Sequence, residues 1–274
     1  MPARAARRRA AVLGHPIGHS LSPVLHRAAY SALGLDWSYE RVDVTAEGLA
    51  AFLDSLDDTW AGLSLTMPLK HDVLPLLDEV DAVGAATGAV NTVLLADGRR
   101  RGTNTDVSGL VVSLDELDAG RGDAVVLGAG ATARSAVAAL AERGSPRVTA
   151  YARRPGAAAD LAGTATAVGV PLVVRPWAQA AEGLDAEVVV STVPVGVADP
   201  LAAAVPLVPG TLLDVVYDPW PTELARAWSR HGGAVASGLD LLLHQAVLQV
   251  RLMTGLDAPV EVLRAALAAA AAAR

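Results

Sequence analysis

Two residues are candidates for proton transfer, Lys70 and Asp106. Lys70 is the only lysine of the chain, and the other basic side chains are all arginine. Arginine does not give up its proton at working pH, whereas a lysine can be tuned to do so. A lysine and an aspartate in one cleft form a general acid/base pair, because the carboxylate keeps the ammonium charged and orients it. The alternatives are that Lys70 is a solvated surface residue and that Asp106 only caps a helix.

A glycine-rich segment predicts a dinucleotide site. The motif G-x-G-x-x-G/A is matched by Gly128, Ala129, Gly130, Ala131, Thr132 and Ala133, between a buried strand and a helix. The first glycine permits the tight turn, the second lets a pyrophosphate approach the backbone, and Ala133 allows the helix to pack closely on the strand. The phosphates are expected at the helix N-terminus.

The end of the next strand favours NADP over NAD. NAD sites usually place an acidic residue there to hold the ribose 2′-hydroxyl, but this chain has Arg153 and Arg154. Two guanidinium groups can pair with a 2′-phosphate. The alternative is that either arginine points into solvent. Thr192, after a later strand, is expected near the nicotinamide ring.

Two further polar patterns indicate a site for a small polar ligand. Ser20 and Ser22 precede a helix, where hydroxyls and backbone N–H groups can bind a carboxylate; Ser22 alone is expected as the helix cap. Gln245 lies on the apolar stripe formed by Leu241, Leu248 and Leu252 at helical spacing. A buried amide needs partners, which a ligand hydroxyl or the core of the protein can provide.

The elements that position these residues alternate between strands and helices along most of the chain, which predicts an α/β fold. Strands are expected at 10–13, 37–44, 60–65, 90–95, 99–103, 123–127, 147–151, 171–174, 187–190 and 212–216. Helices are expected from Ser22 to Gly34, over 46–56, from Pro68, over 131–143, over 238–255 and over 259–274. We predict a substrate-binding and catalytic domain over 1–106, a dinucleotide-binding domain over 107–237, and C-terminal helices over 238–274.

Composition excludes several classes of protein. The net charge of −7 argues against a general nucleic-acid binder, and the absence of cysteine excludes disulfides, cysteine-ligated zinc and thiol catalysis. The six histidines form no metalloprotease pair, and no metal site is predicted. No apolar run reaches the roughly 18 residues of a membrane helix. We expect a cytoplasmic protein without nucleic-acid or membrane partners, either monomeric or homodimeric.

Taken in order, the motifs resemble those of the shikimate dehydrogenase family over essentially the whole chain. The matching segments begin with Gly14–Pro23 and Thr66–Lys70, and continue with Gly88–Thr92 and Asn104–Asp106. They end with the glycine-rich turn, Asp214–Pro219 and Gly238–Gly255. The family has an N-terminal α/β substrate domain, a Rossmann-type NADP-binding domain and a C-terminal helix that returns to the first domain.

The resemblance implies reversible NADPH-dependent reduction of 3-dehydroshikimate to shikimate, a step of aromatic amino-acid biosynthesis. It implies Lys70 and Asp106 as the catalytic pair. The substrate-binding residues that it implies are Ser20, Ser22, Thr66, Asn91, Tyr217 and Gln245. The implied cofactor-binding residues are those of the glycine-rich turn with Arg153, Arg154, Thr192 and Gly238.

Departures from the family pattern leave other activities open. The family commonly has Asn-Val-Thr where this chain has Ser64-Leu65-Thr66, and Asn-Arg-Thr where it has Ala152-Arg153-Arg154. The alternatives are a quinate/shikimate dehydrogenase that uses NAD, an aminoshikimate dehydrogenase, and a ligand-sensing relative without catalysis. The simultaneous presence of Lys70 and Asp106 argues against a sensor, which needs no proton donor.

Overall fold

The computed structural model of the protein describes residues 8–153 and 156–273. Contacts divide the chain into two compact units. The first contains the described residues up to Ala85 together with Ala89–Thr105 and the chain from Leu243, and the second contains Ala86–Gly88 and Asp106–Leu242. Each unit combines one six-stranded sheet with helices, so the predicted α/β class is confirmed.

The described strands, in chain order, are β1 (Arg8–Gly14), β2 (Trp37–Asp43), β3 (Trp60–Leu65), β4 (Glu79–Val80), β5 (Thr92–Ala96), β6 (Arg99–Thr103), β7 (Ala124–Leu127), β8 (Val148–Ala152), β9 (Leu172–Pro176), β10 (Val188–Ser191), β11 (Thr211–Asp214) and β12 (Ala234–Ser237). The helices are α1 (Ser22–Ala32), α2 (Leu49–Asp54), α3 (Leu69–Asp72), α4 (Ala82–Thr87), α5 (Thr105–Asp115), α6 (Ala131–Glu142), α7 (Gly156–Val168), α8 (Glu223–Arg230), α9 (Gly238–Thr254) and α10 (Val260–Ala272). Short 3₁₀ segments lie at Leu74–Leu76, Trp177–Gly183 and Asp199–Ala204.

The sheet of the first unit is mixed, in the order β2-β1-β3-β5-β6-β4. Strand β1 is parallel to β2 and β3, and β5 is antiparallel to β3 and β6. All six residues of β3 are buried, which fits a strand in the interior of a sheet. The predicted hairpin is confirmed as β5–β6, and Asp97 and Gly98 both have the positive φ that its tight turn requires.

The sheet of the second unit is entirely parallel, in the order β12-β11-β10-β7-β8-β9. This is the Rossmann order, in which the chain runs outward from the central strand β7 to one side and later returns to pair β10 with the other side of β7. Ligands in such sheets bind beyond the carboxyl ends of the strands at this switch point. Small side chains of α6, including Ala133 and Ala136, are buried in the core that contains β7.

Several sequence-based boundaries differ from the structure. Strands β4 and β12 are absent from the prediction, because β4 has only two residues and β12 is a four-residue segment in which two residues are alanine. The expected helix over 46–56 is shorter, and the strand expected from Val90 begins at Thr92. Such differences arise because hydrophobic periodicity locates an element better than it locates its ends.

The apolar stripe predicted for α9 is wrong at its C-terminal end. Leu252 is 39% exposed, although Leu241 and Gln245 are buried as expected. The buried face instead continues through Val250 and a second glutamine, Gln249. Within the described part of the chain, no helix combines the length and hydropathy needed to cross a membrane.

Candidate active site

Lys70 lies in a single helical turn directly after the buried strand β3. Helix α3 has four residues, with Pro68 in the capping position, so it is much shorter than an ordinary helix. The Lys70 backbone carbonyl accepts a hydrogen bond of 2.8 Å from the Val90 N–H. This bond ties the half-buried lysine to the residue that precedes Asn91.

Asp106 is the second residue of α5 and is 5% exposed. Asp106 therefore lies in the first turn of α5, after its first residue Thr105, and not before the helix where an N-cap would lie. The start of α5 is anchored by the Asn91 side chain, whose Oδ1 accepts a 2.8 Å hydrogen bond from the Thr105 N–H. Asn91 therefore holds the backbone of Thr105, the first residue of α5.

Ser20 and Ser22 are brought together, and both are buried. The Ser20 hydroxyl donates to the Ser22 hydroxyl at 3.3 Å, and the Ser22 N–H donates to Ser20 Oγ at the same distance. Ser22 is the first helical residue of α1 and Leu21 occupies the capping position, so the prediction that Ser22 is the cap is wrong. Arg41 fixes the segment further by donating from Nε to the Ser20 carbonyl at 2.7 Å.

Three other predicted substrate residues also lie in the first unit. Thr66 follows β3 and is half-buried, and its N–H donates to the Leu13 carbonyl at 2.9 Å. Asn91 precedes β5 and is 2% exposed, whereas Gln245 lies on α9 and is 7% exposed. These buried polar side chains can provide the donors and acceptors that orient a small ligand with several hydroxyls.

Gln249 forms several side-chain hydrogen bonds around Asn91 and is absent from the sequence-based prediction. Gln249, fully buried on α9, donates from Nε2 to the Thr92 hydroxyl at 2.8 Å and to the Asn91 carbonyl at 3.3 Å. Its Oε1 accepts from the Ser64 hydroxyl at 2.8 Å and lies 3.2 Å from His26 Nε2. The sequence signal for Gln249 is its position one helical turn after Gln245. The apolar stripe predicted for α9 does not include it.

The glycine-rich loop of the second unit has the geometry expected of a dinucleotide site. Gly128 has a φ of 120°, and a Cβ there would collide with the Thr192 hydroxyl. A Cβ at Gly130 would meet nothing within 4 Å, so the space beside this backbone is open. Helix α6 starts immediately afterwards with no side-chain cap. The open backbone at a helix N-terminus fits a pyrophosphate, which needs N–H donors and close approach.

Arg153, Thr192 and Gly238 each directly follow a strand of the parallel sheet, at its carboxyl end. Thr192 follows β10 and hydrogen-bonds from both N–H and Oγ1 to the Leu127 carbonyl, at 2.8 and 2.9 Å. Arg153 follows β8 and is exposed, with no carboxylate at the strand end. Arg154 lies outside the described residues. A side chain at Gly238 would collide with the Val215 carbonyl, so backbone packing itself requires this glycine.

Tyr217 lies in a loop that Asp214 holds in place. Asp214 accepts hydrogen bonds from the Thr222 hydroxyl at 2.8 Å and the Val216 N–H at 3.3 Å. Burial raises the pKa of the Asp214 carboxyl, and these hydrogen bonds act in the opposite direction. Thr222 also caps α8 by accepting from the Ala225 N–H. The half-buried Tyr217 is therefore carried by a well-anchored segment.

Comparisons with known proteins agree with this geometry. Residues 12–93 match the model of the shikimate dehydrogenase substrate binding domain, and residues 238–268 match that of the shikimate 5′-dehydrogenase C-terminal domain. The chain is 40% identical to a shikimate dehydrogenase (NADP⁺) of Thermus thermophilus, covering 90% of this chain and 93% of that protein. This chain belongs to the shikimate dehydrogenase family.

Solved structures of family members extend the similarity to the whole fold. The structure of Mycobacterium tuberculosis shikimate dehydrogenase is 44% identical and has a TM-score of 0.88, covering 96% of this chain and 99% of that chain. A shikimate 5-dehydrogenase of Thermus thermophilus, solved in complex with NADP(H) and shikimate, is 37% identical and has a TM-score of 0.85. That match covers 96% of this chain and 99% of the other.

Proposed function

We propose that this member of the family catalyses the reversible NADPH-dependent reduction of 3-dehydroshikimate to shikimate, in aromatic amino-acid biosynthesis. The observation that carries the proposal is the hydrogen bond between the Lys70 carbonyl and the Val90 N–H. It fixes the backbone of the only lysine of the chain beside the segment that carries the buried Asn91. This arrangement suits a proton donor beside a polyhydroxylated ligand.

Lys70 and Asp106 are the proposed catalytic pair. Bound NADPH supplies the hydride that reduces the ketone carbon. The Lys70 ammonium donates a proton to the ketone oxygen, which becomes the new hydroxyl, and Lys70 regains a proton from solvent. The Asp106 carboxylate favours the charged ammonium and orients it. In the oxidative direction Lys70 accepts the hydroxyl proton instead.

The substrate carboxylate is assigned to Ser20 and Ser22, with Tyr217 as an additional hydroxyl. Supporting this assignment, both serine hydroxyls lie at the start of α1, where backbone N–H groups and the helix dipole favour an anion. The ring hydroxyls are assigned to Thr66, Asn91 and Gln245. Asn91 and Gln245 are buried, so their amide groups are favoured by partners that satisfy them.

NADP is the proposed cofactor. Its pyrophosphate is assigned to the loop Gly128, Ala129, Gly130 and Ala131, with Ala133 allowing close packing of α6 on β7. Arg153 and Arg154 are assigned to the 2′-phosphate, Thr192 to the neighbourhood of the nicotinamide, and Gly238 to the cofactor site. The absence of an acidic residue directly after β8 supports NADP, because a carboxylate there would repel the 2′-phosphate.

Further proposals concern the setting in which the protein works. We propose a cytoplasmic protein that acts on a small molecule as a monomer or homodimer, without nucleic-acid or membrane partners. The acidic net charge of −7 supports the first exclusion, since nucleic-acid binding normally requires a basic face.

The test is a comparison of kcat/KM for shikimate, quinate and aminoshikimate, each with NADP⁺ and NAD⁺, followed by nicotinamide absorbance. We expect the pair of shikimate and NADP⁺ to give the highest value. A clear preference for quinate with NAD⁺, or for aminoshikimate, would overturn the substrate assignment and support the corresponding alternative activity.

A further inference from the structure

A buried network of hydrogen bonds lies beneath Asn91 in the first unit. Its members come from α1, β2, β3, β5, α5 and α9, and every polar side chain in it is less than 10% exposed. The network comprises His26, Tyr30, Tyr39, Ser64, Asn91, Thr92, Thr105 and Gln249.

Two backbone groups determine the orientation of both amide side chains. The Thr105 N–H can only donate, so the Asn91 atom 2.8 Å from it must be the carbonyl oxygen Oδ1. The Asn91 backbone carbonyl can only accept, so the Gln249 atom that contacts it at 3.3 Å must be Nε2. Neither amide can be turned round without opposing two donors or two acceptors.

The directions in which the hydroxyl groups near these two amides donate are determined in the same way. The Thr92 hydroxyl accepts from Gln249 Nε2 at 2.8 Å, so its own proton goes to Asn91 Oδ1, also at 2.8 Å. Thr105 Oγ1 donates to the same oxygen at 3.1 Å. Asn91 Oδ1 thus accepts from three donors of the chain.

The other end of Gln249 has the opposite polarity. Tyr39 donates to the Ser64 hydroxyl at 2.6 Å, and Ser64 donates to Gln249 Oε1 at 2.8 Å. Burial lowers the pKa of His26 from 6.5 to about 3, so the ring is neutral and its Nε2–H donates to the same Oε1. The other ring nitrogen lies 3.4 Å from the Tyr30 hydroxyl, which is its donor.

We propose that Gln249 is a positioning residue that fixes the polarity of the Asn91 carboxamide, so that Asn91 meets a substrate hydroxyl as a hydrogen-bond donor through Nδ2. Gln249 Nε2 contacts the Thr92 hydroxyl and the Asn91 backbone carbonyl, so Gln249 acts through Thr92 and Asn91. Ser64 is a second positioning residue, because its hydroxyl donates to Gln249 Oε1 and so orients the Gln249 amide. This gives a role to the serine that stands where the family commonly has asparagine.

The inference rests on the proposed function. The decisive variants preserve the shape of the side chain while they exchange one NH₂ group for oxygen. Asn91→Asp keeps the acceptor for the three hydrogen bonds at Oδ1 and replaces the amide donor with an ionisable carboxyl oxygen. Gln249→Glu keeps the acceptor for Ser64 and His26 and removes the donor to Thr92. We expect KM for shikimate to rise about tenfold in Gln249→Glu and about 10–100-fold in Asn91→Asp, the scale of one or two hydrogen bonds. KM for NADP⁺ should change less than about twofold.

A double-mutant cycle distinguishes positioning from an independent contact. If Gln249 acts through Asn91, the double variant should match the kcat/KM of Asn91→Asp alone. Thr92→Val, which removes the connecting hydroxyl, should resemble Gln249→Glu, and Thr92→Ser should restore nearly wild-type KM. Ser113→Ala serves as the matched control because it removes a buried hydroxyl bonded to the Gly109 carbonyl in α5. It should leave both KM values unchanged.

The results that would overturn the inference are distinct from those that would overturn the proposed function. Suppose that the wild-type protein turns over shikimate normally. Fully additive losses in the double-mutant cycle would then refute the positioning role of Gln249, and so would equal increases in KM for shikimate and for NADP⁺. An unchanged or lower KM for shikimate in Asn91→Asp would refute the donor role. No wild-type turnover of shikimate would overturn the proposed function, and the inference with it.

Discussion

The two units build their sites in different ways. In the second unit, the dinucleotide loop consists of the six consecutive residues 128–133, and its important features are backbone shape and the absence of side chains. In the first unit, the hydrogen bonds around Asn91 join side chains separated by as many as 223 residues, as between His26 and Gln249. A site made from backbone depends on open space at its glycines, whereas a site made from side chains depends on the polarity of each group.

This contrast matches the chemistry of the proposed ligands. A pyrophosphate is an anion that any set of aligned N–H groups can bind, so glycine and a helix N-terminus suffice. A ring with several hydroxyls must be recognised by donors and acceptors of defined polarity, because a buried polar group that lacks its partner costs about 1–3 kcal/mol. We therefore expect substitutions in the first unit to alter the response to shikimate and those in the loop to alter the response to NADP.

The largest effect is expected at Lys70. Lys70→Met and Lys70→Arg should each lower kcat by about 10²–10⁴, the usual scale for loss of a general acid/base. Arginine preserves the charge but does not exchange its proton at working pH. The measurement is kcat with shikimate and NADP⁺, together with the Kd for NADP⁺, which should change little. Near-normal turnover in Lys70→Arg would refute the proton-donor role.

The buried network should also make the first unit sensitive to acid. The folded pKa of His26, about 3, lies below its value of 6.5 in the unfolded chain, so only the unfolded state takes up a proton between these values. The contribution of the neutral His26 to the free energy of unfolding is complete above about pH 6.5 and is lost as pH falls towards 3. At roughly 1.4 kcal/mol per pKa unit, the free energy of unfolding should drop by about 3 kcal/mol by about pH 4.

Urea unfolding near neutral pH and at about pH 4 measures this loss, and His26→Gln is the matched variant. The variant keeps a donor for Gln249 but does not titrate, so its stability should fall less with acid. Identical pH dependence in the two proteins would show that His26 does not cause the sensitivity.

In the loop, Gly130→Val separates ligand binding from folding. A side chain there enters open space, whereas one at Gly128 would collide with Thr192. We expect Gly130→Val to raise KM for NADPH about 10–100-fold, because it obstructs close approach of the pyrophosphate. Its thermal midpoint and its KM for 3-dehydroshikimate should be close to the wild-type values. Unchanged KM for NADPH would place the pyrophosphate elsewhere.

The smallest expected effect concerns the choice of cofactor. Arg153→Ala and Arg154→Ala should each raise KM for NADPH by about tenfold, while KM for NADH changes little, because only NADPH carries the 2′-phosphate. Equal changes for both cofactors would mean that the 2′-phosphate is recognised by other residues.

The same contrast explains which features can be predicted from sequence. The glycine-rich loop can be located because its glycines, strand and helix are contiguous, and the hairpin can be located because Asp97-Gly98 has a known turn preference. Gln249 cannot be located in this way, since its importance comes from Ser64, Thr92 and His26, which are distant in sequence. Periodicity also places Leu252 on the buried face of α9, although tertiary packing leaves it exposed.

We propose that this chain is an enzyme that oxidises shikimate with NADP⁺, not a sensor that only binds its ligands. The most direct test is the initial rate of NADPH formation by the purified chain, measured together with the binding of both ligands. We expect binding of each ligand and a rate that saturates with both. Binding of shikimate and NADP⁺ without any formation of NADPH would contradict it.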